Sequence, residues 1–323
     1  MYASKHICFI SPSIASTNLG DLIIRRACYL ELESLFEDYQ IIEISSQDKI
    51  GSWSRNLLKT SQYNILLGTN LLSSNLFRYR QLRWNLVDFL HKYELILMGV
   101  GWWQYQATPG PINSFLWRKT LSHKFIHSVR DEFTLNQLKA IGLENTLNTA
   151  CPSMWSLPDN SANIVNSSFD YSILTLTDYN RSPSCDLNII KHALTLSKKI
   201  AFFPQAPTDL SYFLSLTASN NISNSNFLIL KPNLQTFSEF ISANNCFYIG
   251  TRLHAAIFCI EHSLPAILIS IDNRMRELAS DTKMLFIERD QYALNLPDVL
   301  PSFLSPEIDN LAIRSWKSQF DIC

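Results

Sequence analysis

Along the chain, short apolar runs alternate with longer stretches in which apolar residues recur every three or four positions. The runs are Ile7–Ile10, Ile41–Ile44, Asn64–Leu67, Leu95–Val100, Phe125–Val129, Tyr171–Leu176, Ile200–Phe203, Phe227–Leu230, Cys246–Ile249 and Ala266–Ile271. Helical spacing appears at Leu22–Phe36, Leu82–His91, Phe133–Ile141, Leu187–Ser197, Leu210–Thr217 and Leu253–Ile260, and again at Glu307–Phe320, where Trp316 and Phe320 stand four apart. A run of that length followed by a 3.6-residue period reads as strand then helix. Its repetition predicts the α/β class, with parallel sheets covered by helices on both faces.

The alternation is interrupted once. Leu157 to Phe169 is a stretch of Pro, Asp, Asn, Ser and Ala with few apolar anchors, as expected of a linker. It divides 323 residues into an N-terminal domain over 1–156, a linker over 157–169 and a C-terminal domain over 170–323. Each half is long enough to bury a core of its own. The closing amphipathic segment is placed to pack back on the first domain.

Chemistry concentrates in CFYIGTRLHAAIFCIEHSLPAILISIDNRMR, residues 246–276. A strand ends at Ile249, Gly250 and Thr251 make the turn, and a helix opens at Leu253, so Arg252 and His254 fall at the carboxyl edge of a sheet, where open α/β folds place ligands. The amides and dipole of a helix start favour an anion there. After the next strand, Asp272-Asn273-Arg274-Met275-Arg276 opens another helix, so the spacing predicts Arg252, His254, Arg274 and Arg276 around one crevice. Each basic residue taken singly also fits an ordinary surface or core position.

Three further turns carry two readings each. Asn18-Leu19-Gly20-Asp21 can be a helix cap with a permissive glycine, or a site segment. Gly99 and Gly101 end a strand, and the adjacent Trp102 and Trp103 suit either a core or the face of a sugar. Val129-Arg130-Asp131-Glu132 opens a helix, where Arg130 can simply pair with its acidic neighbours.

Gly-Thr-Arg-Leu-His before an apolar helix, a Pro-led strand and Ile-Asp-Asn-Arg together resemble the polysaccharide pyruvyl transferase family. The resemblance extends to Asn-Leu-Gly-Asp at 18–21, Val-Arg-Asp at 129–131, Cys151-Pro152 and Phe203-Pro204-Gln205. It implies two Rossmann-like domains facing a cleft, a GT-B-like arrangement, with acceptor groups on the first domain and donor groups on the second. It further implies transfer of the enolpyruvyl unit of phosphoenolpyruvate onto two hydroxyls of a surface-polysaccharide sugar, as a ketal. On this likeness His254 and Asp21 are catalytic, Thr251, Arg252, Arg274 and Arg276 bind the donor, and Asn18, Gly20, Gly101, Trp102, Arg130 and Gln205 line the acceptor side. Arg274 departs from the Lys that many members carry. A GT-B glycosyltransferase using a nucleotide sugar, and a non-catalytic sugar-binding member, remain the rival readings.

Composition narrows the partners. Twenty-seven Lys and Arg against 28 Asp and Glu give a net charge of −1, so no overall field recruits nucleic acid or a membrane surface, and any anion binding must be local. Eight glycines, with Gly99-Val100-Gly101 the only close pair, exclude a dinucleotide fingerprint, and no phosphate-binding loop of the GxxxxGK type is present. The expectation is no bound cofactor, phosphoenolpyruvate serving as co-substrate, and no metal. The seven cysteines have no CxxC spacing, and several lie in apolar runs as small buried hydrophobes do, which speaks against a disulfide or zinc framework. The start MYASKHICFISPS lacks the pattern of a secretory signal and no run of about 18 apolar residues occurs. A cytoplasmic protein is expected, with room for peripheral docking on the inner membrane face through a lipid-linked saccharide.

Overall fold

The computed structural model describes residues 5–158, 168–294 and 299–320. The middle of the expected linker, 159–167, and the last cysteine, Cys323, lie outside the described residues. The chain forms two compact units: unit 1 comprises Met1–Ser16, Ile24–Trp155 and Ile308–Cys323, and unit 2 comprises Thr17–Ile23 and Ser156–Glu307.

Unit 1 holds a parallel six-stranded sheet ordered β2-β1-β3-β4-β5-β6. Its strands are β1 (His6–Ser11), β2 (Gln40–Ser45), β3 (Asn64–Leu72), β4 (Leu95–Trp102), β5 (His127–Val129) and β6 (Thr146–Asn148). All eight residues of β4 are buried, which is why its sequence is a continuous apolar run without alternation. The strand order reverses between β1 and β3. The helix Asn310–Ser318 belongs to this unit and starts at Asp309, whose Oδ1 accepts the amides of Leu311 and Ala312 at 2.9 Å. Beyond it, Phe320 meets Phe36 and Tyr63 edge to face, each at 5.3 Å between centroids.

Unit 2 has the order β12-β11-β10-β7-β8-β9, again parallel. The strands are β7 (Phe169–Thr175), β8 (Ser197–Phe202), β9 (Phe227–Ile229), β10 (Cys246–Gly250), β11 (Ala266–Ser270) and β12 (Ile287–Glu288). In order of appearance this is 6-5-4-1-2-3, the Rossmann arrangement, and the direction of winding reverses between β7 and β10.

Local chemistry accounts for the differences from expectation. Phe169, placed at the end of the linker, instead opens β7 and is buried against Phe247. The helix expected over Leu82–His91 is confined to Leu86–Leu90, because Asn85 and Asp88 form a capping box that fixes its start. The helices Ser52–Thr60 and Pro111–Thr120 are additional to the expected elements, and the strands β6 and β12, three and two residues long, are too short to show a period.

Candidate active site

The reversal point of unit 2 gathers loop residues from β7, β8, β10 and β11. At its centre Thr175, the last residue of β7, accepts the amide of Thr251 on its carbonyl (3.1 Å) and that of Arg252 on Oγ1 (3.3 Å). Gly250 makes this approach possible, since a Cβ there would stand 2.4 Å from the Thr175 carbonyl oxygen. The hydroxyl of Tyr248 donates to the Arg252 carbonyl at 2.8 Å, and the hydroxyls of Thr177 and Thr251 meet at 2.8 Å. The β10 turn is therefore held on three sides before any ligand arrives.

Arg252 is the N-cap of the helix Leu253–Glu261 and offers its first turn no side-chain acceptor. Its guanidinium, 7 % exposed, is committed to Asp209: Nε donates to Oδ2 at 3.0 Å and Nη2 to Oδ1. Asp209 is buried at the start of the helix Pro207–Ser219 and also accepts the amides of Ala206 and Asp178, at 2.9 and 3.1 Å. Four donors on one carboxylate satisfy a buried charge and orient its partner. The sequence shows Pro207 and Asp209 only as a helix start; the 43-residue separation hides the pairing.

The Tyr179 ring is close to two cations, with the guanidinium carbons of Arg252 and Arg274 at 5.2 and 5.5 Å from its centroid. Arg274 is held by Asp272, through Nε at 2.9 Å and through Nη2, and the Tyr179 hydroxyl donates to Asp272 at 3.0 Å. Burial would raise the Asp272 carboxyl, but the Arg274 charge and these hydrogen bonds outweigh it and hold the group below the usual carboxylate range. Arg276 does not join this group. Its Nε and Nη2 bind Glu288 of β12, at 2.6 and 2.9 Å. Residues two apart on a helix point to nearly opposite faces, so Arg274 and Arg276 of the helix Asn273–Thr282 cannot share a partner. Two arginines converge where four cationic side chains were expected.

His254 and Gln205 meet the segment Thr17–Ile23, which counts with this unit. Gln205 clamps that segment twice, its carbonyl accepting the Leu19 amide at 2.9 Å and its Nε2 donating to Asn18 Oδ1 at 2.8 Å. Asn18 Oδ1 also accepts the Gly20 amide at 3.1 Å. A Cβ on Gly20 would stand 2.6 Å from Gln205 Nε2 and 3.3 Å from His254 Nδ1, so this backbone lies close against the amide and the imidazole. Asp21, 7 % exposed, follows in the first turn of the helix Leu19–Leu32. Among the described residues Gln205 Oε1, buried, has no hydrogen-bond partner.

Gly101, Trp102 and Arg130 lie together in unit 1. A Cβ on Gly101 would meet Arg130 Nε at 2.3 Å, and Arg130, buried, donates to Asp131 at 3.2 Å. Trp102 is a correction: at 1 % exposure it is part of the unit 1 core, its indole donating to Ser74 Oγ at 3.3 Å, and it presents no face to a sugar. Among the described residues no cluster of three His, Cys, Asp or Glu could hold a metal ion.

Two Rossmann-like units with side-chain chemistry at the carboxyl ends of their strands define an α/β protein of the GT-B-like class. The chain is similar in fold to a UDP-GlcNAc 2-epimerase of Methanocaldococcus jannaschii, at 13 % identity over 92 % of both chains and a TM-score of 0.50. It is likewise similar to a putative UDP-N-acetylglucosamine 2-epimerase of Listeria monocytogenes, at 11 % identity over 98 % of this chain and 91 % of that one, with a TM-score of 0.52. No curated protein matches the sequence. The sequence profile of polysaccharide pyruvyl transferases matches residues 18–273, and the chain belongs to that family.

Proposed function

We propose that this pyruvyl transferase moves the enolpyruvyl group of phosphoenolpyruvate onto two hydroxyls of a saccharide, forming a pyruvate ketal. The observation that carries the proposal is the pair of carboxylate-oriented guanidinium groups close to Tyr179 at the strand-order reversal, in the unit where His254 packs on the Asn18–Asp21 turn. Asp209 takes the Nε–Nη2 edge of Arg252 and Asp272 that of Arg274, whose Nη2 also meets the Tyr179 hydroxyl, so each fork is oriented and among the described residues Nη1 of each has no hydrogen bond and can meet a donor oxyanion. Phosphoenolpyruvate supplies two such groups, a carboxylate and a phosphate. The amides at the start of the helix Leu253–Glu261 add a dipole of the matching sign.

The reaction requires a proton on the methylene carbon of the enol, addition of one sugar hydroxyl to the adjacent carbon, and displacement of phosphate by the second. Histidine exchanges protons near neutral pH, which suits His254 to deliver that proton and recover it from a hydroxyl. Asp21 is the second candidate for that recovery. Thr251 contributes through its turn, while Arg276 is assigned no part in donor binding.

Calorimetric titration with phosphoenolpyruvate tests the reading, together with mass spectrometry of lipid-linked oligosaccharides incubated with both. Donor binding is expected to survive His254→Ala and to fail in Arg252→Ala, with the mass gain of a pyruvyl ketal lost in both. Binding of a nucleotide diphosphate sugar in place of phosphoenolpyruvate would overturn it in favour of a glycosyltransferase, and a bound sugar with no turnover in favour of a non-catalytic member.

A further inference from the structure

We infer that unit 1 carries a docking surface for an anionic lipid bilayer, formed by the helices Ser52–Thr60, Leu76–Tyr79 and Leu86–Leu90 with the loops around them. Charge is distributed unevenly along the chain. Residues 46–126 hold ten Lys and Arg but only Asp48, Asp88 and Glu94 as acids, a net of +7 in a chain of −1, so the remainder carries −8. Two of those three acids are already paired, Asp88 with Arg55 and Glu94 with Lys92. Among the described residues Arg78, Arg80, Arg83 and Lys49 form no ion pair, whereas Arg25, Arg181, Arg252, Arg274 and Arg276 are each bound to a carboxylate.

The same stretch exposes large apolar side chains. Trp53, Phe77, Leu86, Val87, Leu90 and Phe115 are each between 46 and 71 % exposed. They belong to adjoining elements: the Arg55–Asp88 pair joins the first and third helices, and Asn113 Oδ1 accepts the Leu76 amide at 3.1 Å, bringing in the helix Pro111–Thr120. Lys49, Arg80 and Arg83 share with Phe77 and Leu86 the walls of one cavity of about 920 Å³. These three cations therefore adjoin exposed apolar side chains on the same surface.

Basic groups beside exposed aromatic and aliphatic side chains are the composition of a surface that sits at the headgroup level of a bilayer. A duplex nucleic acid, its bases already stacked, would share the cations but gain little from exposed Leu and Val. No described helix is long and apolar enough to cross a membrane, so the contact is peripheral. The inference does not rest on the donor chemistry of unit 2.

The test is flotation of the full chain with vesicles of phosphatidylcholine alone and with added phosphatidylglycerol. The expected result is selective, salt-sensitive binding to the anionic vesicles. Arg78→Glu/Arg80→Glu/Arg83→Glu should lower it at least about tenfold, and so should Phe77→Ser/Leu86→Ser/Val87→Ser, while Lys191→Glu/Lys199→Glu/Lys231→Glu on unit 2 leaves it unchanged. The altered side chains are exposed or rim the cavity, and circular dichroism with thermal melting verifies folding; the apolar variant stands in should the charge variant not fold. No binding, equal binding to neutral vesicles, or equal loss in the unit 2 control overturns the proposal. So does preferential binding to a duplex oligonucleotide that ignores the apolar variant. Phosphoenolpyruvate titration of the same preparations separates failure here from failure of the proposed reaction.

Discussion

Asp209 shows how a residue that touches no proposed reacting atom can govern a site. It holds Arg252 through two guanidinium nitrogens and is itself fixed by two amides, so the fork's direction is set in advance. It also places a negative charge beside the proposed donor anion. Replacing Asp209 with Asn removes that competing charge but loosens the orientation. The expected outcome is a split: donor affinity unchanged or tighter, with turnover down at least about tenfold, equivalent to about 1.4 kcal/mol of transition-state stabilisation. Steady-state kinetics alongside calorimetry checks it, and parallel loss of both quantities would assign Asp209 a purely structural part. Trp102 and Arg276 make the opposite point. Both had the right residue type in a suggestive position, yet one fills the core and the other is taken by Glu288, facts set by contacts 28 and 12 residues away.

At the scale of elements, β5 contains a buried histidine unconnected with the candidate site. His127 Nε2 donates to the Ser122 carbonyl at 2.8 Å and Nδ1 accepts the Leu97 amide at 3.3 Å, so both ring nitrogens are used in the neutral form. Burial pushes its pKa from 6.5 down to about 4. The unfolded chain therefore takes up this proton between those values while the folded one does not, and stability falls as pH drops from 6.5 toward 4 and levels off below. The shift corresponds to a loss of order 3 kcal/mol at most. Urea unfolding followed through this window should show the midpoint falling with pH, and His127→Gln should remove most of the slope; identical slopes would show that other groups are responsible. The two shortest strands, β6 and β12, illustrate the limit of reading elements from periodicity. Three or two residues cannot display a period of two, and these strands exist because a neighbouring strand supplies the ladder.

For the molecule as a whole, the order in which the chain visits its two units matters. The first turn of the helix Leu19–Leu32 counts with unit 2, and Ile308–Cys323 with unit 1. In that final segment Trp316 is fully buried, Phe320 completes the cluster of Phe36, Tyr63 and Phe125, and Gln319 bonds both the amide and the carbonyl of Ile126. Ending the chain at Glu307 would strip a Trp and a Phe from the core of unit 1, at about 3–5 kcal/mol for each such loss. Amide hydrogen exchange of the truncated chain should show β1, β3 and β5 unprotected while β7, β8 and β10 stay protected. Retained protection in unit 1 would show that the segment is dispensable.

The sequence by itself determined the α/β class, because parallel strands buried on both faces must be continuous apolar runs and the helices between them must be amphipathic. It also singled out the turns at Asn18–Asp21, Arg130 and Thr251–His254, each of which had a local capping or pairing reading beside the site reading that the family resemblance implied. Only the tertiary structure decided which of those charges share a partner: Arg252 with Asp209, Arg274 with Asp272 and Tyr179, Arg276 with Glu288. Local pattern reports which face a residue lies on, whereas ion pairs form between side chains brought together by strand order, and in a parallel sheet that order places residues 43 and 95 positions apart within hydrogen-bonding distance.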